Sequence, residues 1–433
     1  MHMKKLKIHI EELGPIRNAD IELAPIMIFT GASNLGKSYT NFLAYYVFYL
    51  FSSNRLLEFF QTKVTERMEN GKSFSFSFNC KELTTWMETD ARNFFIYLLN
   101  YPNVPCKVNF YFEGNPTFNI QIKEAQNPRI SFGEGSELQL TSVTINGTTK
   151  NIFSNRNDIL KDLTPFIATQ VEMILLDTQI RHAYLLPPGR ASLLNESFSI
   201  KKEVSNTGMY DIFLNDFDFI NNWRMRENPA RKNNRLDNTI NQISKRIIDG
   251  KLESNKDGIT LKINGQEDQT VPISAAASSI KELSPLLLWA ETGYIENDSL
   301  CIEEPEAHAH PEMQYKIADL LAACAMKGTF MQITTHSDYL LARLNQLIRL
   351  HTLKTQDSSN FEKLCNDNNI NRELTLDKDL INAYYFQKDE TSHQIIIRKL
   401  NTDKGIPFET FANAVQEQID WNQIFDEQDD ENL

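Results

Sequence analysis

Leu6 to Ile10 and Ala19 to Leu23 read as strands, and Ile26 to Phe29 is an apolar run that stops at Thr30-Gly31. From Lys37 to about Phe51 the pattern becomes helical. Residues 54 to 180 do not continue a simple alternation of strand and helix. Helical stretches, Leu83 to Leu99 and Asp158 to Leu176, flank strand-like segments at Lys107 to Phe112 and Phe118 to Ile122, with another at Ser73 to Phe78 just before them. This predicts an inserted α+β lobe. His182 to Leu186 reads as a strand leading into Pro187-Pro188-Gly189-Arg190, and after about residue 207 the pattern is helical up to Asp249. There Leu236, Ile240, Ile243 and Ile247 make one apolar stripe, which predicts a short helical arm. Strands return near Ile259 to Ile263, at Leu300 to Glu303 and at Phe330 to Thr334. No internal repeat appears, and no heptad run is long enough for an extended coiled coil. The predicted organisation is a discontinuous domain of residues 1–53 and 255–433, to which 181–200 return, with 54–180 as the lobe and 201–254 as the arm.

Composition sets limits on this picture. At 433 residues and 50.0 kDa the chain is long for one core, so one large α/β domain with insertions, or two domains, is expected. A content of 41% hydrophobic and 23% charged residues excludes a mainly disordered or collagen-like chain. The formal net charge of −13 excludes a molecule that coats nucleic acid by charge alone, although a local basic patch stays open. Part of the acidity sits in a tail, Asp426 to Leu433, that reads as solvated. Cys80, Cys106, Cys301, Cys324 and Cys365 are scattered without a C-x-x-C pair, which fits a reduced compartment. The longest apolar run, Phe42 to Phe51, is too short to span a bilayer, and no signal peptide opens the chain. A cytoplasmic protein without a membrane span is predicted.

Three segments carry chemistry. Gly31-Ala32-Ser33-Asn34-Leu35-Gly36-Lys37-Ser38 matches G-x-x-x-x-G-K-[ST] between an apolar strand and a helix, the context this phosphate-binding loop demands. Its glycines let backbone N–H groups curl around phosphate oxygens, Lys37 would reach the β- and γ-phosphates, and Ser38 would hold Mg²⁺. Next, Leu300-Cys301-Ile302-Glu303-Glu304-Pro305-Glu306 is an apolar strand ending in adjacent carboxylates, placed where a parallel sheet presents ligands. Glu303 would orient the hydrated Mg²⁺ and Glu304 would polarise the attacking water as general base. Last, Phe330 to Thr334 runs into Thr335-His336-Ser337, where a histidine can bond the γ-phosphate and sense its loss.

The order of these segments, with Ala307-His308-Ala309-His310-Pro311 after the carboxylates, resembles the ATPase heads of the overcoming-lysogenization-defect (OLD) family and related ABC-like AAA family ATPases, themselves relatives of SMC and RecF-type repair ATPases. The resemblance covers roughly residues 4–53 and 255–400. It implies an α/β, ABC-type P-loop head that binds and hydrolyses ATP with Mg²⁺ at a homodimer interface. It also implies Glu304 as catalytic base, His336 as switch histidine and a D-loop around Glu306 to His310. Proline at the first helical position and an apolar face of Met313, Ile317, Leu320, Leu321 and Cys324 independently predict a helix after Pro311. Such ATPases carry a signature serine that caps the partner subunit's ATP. Ser278 occupies that place, with Ser279 where the relatives usually have glycine. Arg190, in a proline-arginine segment similar to theirs, is a candidate nucleotide or interface contact.

The family further implies an antiphage or mobile-element defence role with a separate effector protein, because the Toprim nuclease of OLD proteins has no match beyond the weak D-x-D at Asp377 and Asp379. Spacing argues against a metal cluster of Glu306, His308 and His310. Arg224, Arg226, Arg231, Lys232 and Arg235, beside Trp223, form one basic cluster that could track DNA phosphates, the feature on which a DNA-repair or maintenance alternative would rest.

Overall fold

The computed structural model describes residues 2–64, 73–132, 136–155, 158–194, 207–226, 237–255, 258–265, 269–389, 391–407 and 419. The chain opens with β1 (Leu6–Leu13), β2 (Ile16–Glu22) and β3 (Ile26–Gly31), then the helices α1 (Lys37–Ser52) and α2 (Leu56–Lys63). After β4 (Ser73–Asn79) and α3 (Cys80–Leu99) come β5 (Cys106–Phe112), β6 (Thr117–Phe132), β7 (Ser136–Ile145), β8 (Thr148–Asn155) and α4 (Ile159–Leu176). β9 (His182–Leu186) leads to the short α5 (Arg190–Leu193), α6 (Gly208–Arg226) and α7 (Asn238–Ile248). A hairpin of β10 (Gly250–Asn255) and β11 (Gly258–Ile263) with β12 (Thr270–Pro272) precedes α8 (Ser278–Ala290) and β13 (Asp298–Glu303). The last part holds α9 (Pro311–Met326), β14 (Phe330–Thr334), α10 (Asp338–Gln356), α11 (Ser358–Asn368), β15 (Ile381–Lys388) and β16 (Ile395–Lys399).

A six-stranded sheet in the order β16-β15-β3-β14-β13-β9 forms the centre, parallel throughout except for the antiparallel edge strand β16. Both of its faces are covered at the centre, which is why β3, β14 and β13 are buried along their whole length and read as largely apolar runs. Successive residues of β3 feed opposite cores: Met27 and Phe29 enter one, Ile26 and Ile28 the other. The same division places Cys301 opposite Leu300 and Ile302, and Tyr384 and Phe386 opposite Ala383 and Tyr385. The first core lies under α1, α3, α4 and the antiparallel sheet β2-β1-β5, and reaches the four-stranded sheet β4-β6-β7-β8. The second lies under α8, α9 and α10.

The apolar run Phe42 to Phe51 is the buried helix α1, with both its sides against protein. Among the described residues no helix is long and apolar enough to cross a membrane. In α7 the stripe residues Ile240, Ile243 and Ile247 are buried in the second core, where the helix packs on α9. Leu236, Arg231, Lys232, Arg235 and the acidic tail lie outside the described residues, as do the side chains of Trp223, Arg224 and Arg226. The described cysteines are free thiols.

Candidate nucleotide site

The loop after β3 turns tightly, with Asn34 at φ 62° and Gly36 at φ 89°. Its tip, Ala32 to Asn34, is exposed. A Cβ on Gly31, which sits at φ +127°, would stand 2.2 Å from the carbonyl oxygen of Phe386, so the loop leaves β3 only through a glycine. Helix α1 then begins with Gly36 at its N-cap and no side-chain cap, leaving its first N–H groups free for an anion. Lys37 is buried, and its Nζ donates to the Ala32 carbonyl at 2.7 Å, so the cation lies under the loop. Burial pushes the Lys37 pKa down, against the pull of Glu304, Glu303 and Glu306.

One helical turn carries Ser38 and Asn41 to the end of β13. The Ser38 hydroxyl donates to Glu303 Oε2 at 2.5 Å, and Asn41 Nδ2 donates to Glu303 Oε1 at 2.6 Å. Glu303 is 2% exposed; burial raises its pKa, while both donors favour the ionised form. The chain then reverses sharply. Glu304 lies in the left-handed region at φ 44°, a strained conformation for a residue with a Cβ, and its amide is tied to the carbonyl and hydroxyl oxygens of Thr334 at 3.1 and 3.2 Å. This turn leaves the Glu304 side chain half exposed at the sheet edge, beside a carboxylate that is not.

His336 completes the edge. Its Nε2 lies 3.8 Å from Glu304 Oε1, and burial together with the nearby Lys37 lowers its pKa, so the contact joins a neutral ring to a carboxylate rather than an ion pair. The loop carrying His336 is fastened by Glu306, whose Oε1 accepts from the Thr335 hydroxyl and the His336 amide, each at 2.7 Å. Ser337 caps α10 by accepting from the Leu340 amide and donates its hydroxyl to Gln314. His310 caps α9 in the same way through the Glu312 amide, and Asp377 caps the turn before β15 through the Asp379 amide.

The loop Gly31–Ser38, Glu303, Glu304 and His336 thus meet on one edge, carried by the neighbouring strands β3, β13 and β14. Ser278 stands apart from them as the exposed first residue of α8, whose N-cap, Ala277, supplies no side-chain bond. Arg190, expected as a nucleotide or interface contact, is 1% exposed, and its Nε and Nη1 donate to the carbonyls of Glu282, Pro187 and Glu303. Asn41 and Glu282 belong to no motif that the sequence assigned a role, and Glu306, placed in the D-loop, was not expected to hold the loop of His336. Asn41 left the clearest trace, as the single carboxamide of α1, four residues after the lysine.

A parallel sheet with a G-x-x-x-x-G-K-S loop on one strand, paired carboxylates on a second and a polar, histidine-bearing loop between them defines a P-loop ATPase. The chain belongs to the AAA ATPase domain family, whose family model matches residues 3–341, and it is an ATP-binding ATPase. Solved SMC heads match it loosely. The SmcHead bound to the C-winged helix domain of ScpA shares 12% identity over 93% of this chain and 98% of its own, with a TM-score of 0.37. The Smc head with an extended coiled coil bound to the C-terminal domain of ScpA, from Pyrococcus furiosus, shares 12% over 96% and 99%, with a TM-score of 0.37. The SMC head domain from Thermotoga maritima shares 9% over 93% and 100%, with a TM-score of 0.32. No curated protein matches it.

Proposed function

We propose that this ATPase is a switch of two heads, each closing over the ATP held by the other. The observation that carries the reading is the meeting of loop, carboxylates and histidine on one sheet edge, with the Ser38 hydroxyl 2.5 Å from Glu303 although 265 positions separate them. In this mechanism the amides of Gly31, Ala32, Ser33, Asn34, Leu35, Gly36 and Lys37 cradle the phosphates, and Lys37 exchanges the Ala32 carbonyl for phosphate oxygens. Glu304, free at the edge, takes the proton of the attacking water. His336, kept neutral, bonds the γ-phosphate and releases when it leaves. Ser38 and Glu303 offer a hydroxyl and a carboxylate side by side, a hard-oxygen set that fits Mg²⁺; bound there, the ion would neutralise charge on the transferring group. The exposed, uncapped start of α8 at Ser278 supports a cap on the ATP of a second copy. The motif order shared with OLD-type heads supports a cytoplasmic antiphage or mobile-element role. The weak Asp377/Asp379 match to a Toprim nuclease supports assigning effector chemistry to a separate protein.

The test pairs two variants. Glu304→Gln is expected to hold ATP, to lose turnover by at least about 10²-fold, and to gain the mass of a dimer on ATP addition by light scattering. Lys37→Ala is expected to bind no ATP. Wild-type turnover in the glutamine variant would remove Glu304 as the base; a monomer in saturating ATP would end the two-head reading.

A further inference from the structure

We infer that Arg190 is a positioning residue that holds the Ser278 end of α8 in register with the Glu303 end of β13, so that turnover depends on it and ATP binding within the same subunit does not. This rests on the two-head reading in one respect, that Ser278 serves the ATP of a second copy.

One planar guanidinium spans the two elements. Nε donates to the Glu282 carbonyl at 2.8 Å, and Nη1 donates to the Glu303 carbonyl at 2.8 Å and the Pro187 carbonyl at 3.0 Å. Glu282 Oε2 lies 3.2 Å from Nε, an ion pair by distance although that N–H is already spent on the carbonyl, and Glu282 Oε1 accepts the Ala191 amide at 3.3 Å. Glu282 is one helical turn beyond Ser278, and the Glu303 carbonyl is the last of β13 before the strained turn at Glu304. The bonds therefore run from the start of the signature helix to the peptide that aims the base.

The chemistry needs an arginine. A rigid fork of five donors can meet carbonyls on two elements at fixed separation, whereas an ammonium gathers its three donors on one nitrogen and cannot span that distance. Burying a guanidinium carries a desolvation cost that well-packed apolar side chains do not, so stability alone is a weak reason for it here. Its remaining nitrogen, Nη2, is buried without a hydrogen-bond partner among the described residues, so the fold in this state leaves the fork only partly satisfied. The approach is set locally: β9 ends at Leu186, and Gly189 at φ 69° turns the chain back so that Arg190 passes beneath the sheet edge.

Arg190→Lys keeps the charge and loses the span. It is expected to bind ATP within about threefold of wild type while kcat falls about tenfold or more and KM barely moves, the sign of an interaction made in the transition state rather than in binding. Glu282→Gln weakens the same lock from the helix side and should show the same split to a smaller degree; it carries the test if the lysine variant does not fold. Ser278→Ala should lower kcat alike, and Arg190→Lys with Ser278→Ala should be no worse than the stronger single change, because both act through one placement. Wild-type kcat in the lysine variant, ATP affinity lost in step with kcat, or additive losses in the double variant would each overturn the assignment. Failure of the two-head reading shows separately, as a Glu304→Gln chain that stays monomeric in ATP.

Discussion

Asn41 holds one oxygen of Glu303 while Ser38 holds the other, so the carboxylate is fixed from two sides before any ligand arrives. Removing the amide should leave a buried, charged acceptor short of a donor, a loss of about 1.5–3 kcal/mol for a bond to a charged group. Asn41→Ala is therefore expected to lower steady-state ATP turnover about tenfold or more with nucleotide affinity nearly kept; unchanged turnover would show that Ser38 alone orients Glu303. The residues legible in the sequence, Lys37, Ser38, Glu303, Glu304 and His336, stand in short runs whose order and flanking strands identify them. Asn41 and Glu282 were not legible, and Glu306 was legible only as a D-loop residue, because each acts on a partner supplied by another part of the fold. Glu306 holds a loop 30 positions away, and Arg190 reaches Glu303 across 113 positions. Arg190 was visible as a residue, but its burial was not, since nothing in a proline-glycine-arginine turn says whether the side chain points outward or inward.

At the scale of elements, the strand β3, the helix α1 and the strands ending at Glu303 and Thr334 are where their apolar runs placed them. The stretch β15–β16 was not assigned, although β15 is the direct neighbour of β3: it mixes asparagine, tyrosine and charged residues as strands near a sheet edge do, and its partner lies some 350 residues earlier. Their close pairing makes Gly31 sensitive. Gly31→Ala would set a methyl against the Phe386 carbonyl and force an unfavourable φ, so a loss of at least about 2 kcal/mol in nucleotide-free denaturation is expected, with weakened ATP binding. Gly147, at the β7–β8 turn, has φ +89° but nothing within 4 Å of a built Cβ, and its alanine variant should cost only about 1 kcal/mol. Equal losses at the two positions would mean that backbone conformation, and not the contact with β15, governs Gly31.

Across the whole molecule, the two cores share one sheet, and buried carboxyl groups join its surroundings to the rest. Glu172 of α4 accepts from the Thr178 hydroxyl at 2.8 Å and the Ile180 amide at 3.0 Å on the way into β9, and burial pushes its pKa from 4.5 up to about 7. The folded state then holds this proton more tightly than the unfolded one. Its contribution is full below about pH 4.5 and is lost as pH rises through about 7, a change of up to about 3 kcal/mol. Asp298, also raised to about 7 by burial, acts with the same sign. The ATP-free protein should thus lose stability between pH 5.5 and 8 in thermal melts, and Glu172→Gln should flatten part of that slope; an unchanged slope would show that Glu172 ionises in the fold without penalty. The strand order has a further consequence for synthesis on the ribosome. β3 bonds only to β14 and β15, so after it emerges about 300 residues must be translated before either neighbour exists, an interval of roughly 15–60 s at 5–20 residues per second. Throughout that wait β3 has no strand to pair with, while the helix behind it gains cover from α3, α4 and β9 as they are made. β3 is thus among the first strands made and stays unpaired until the last third of the chain is translated, an apolar strand with open edges during synthesis rather than in the finished head.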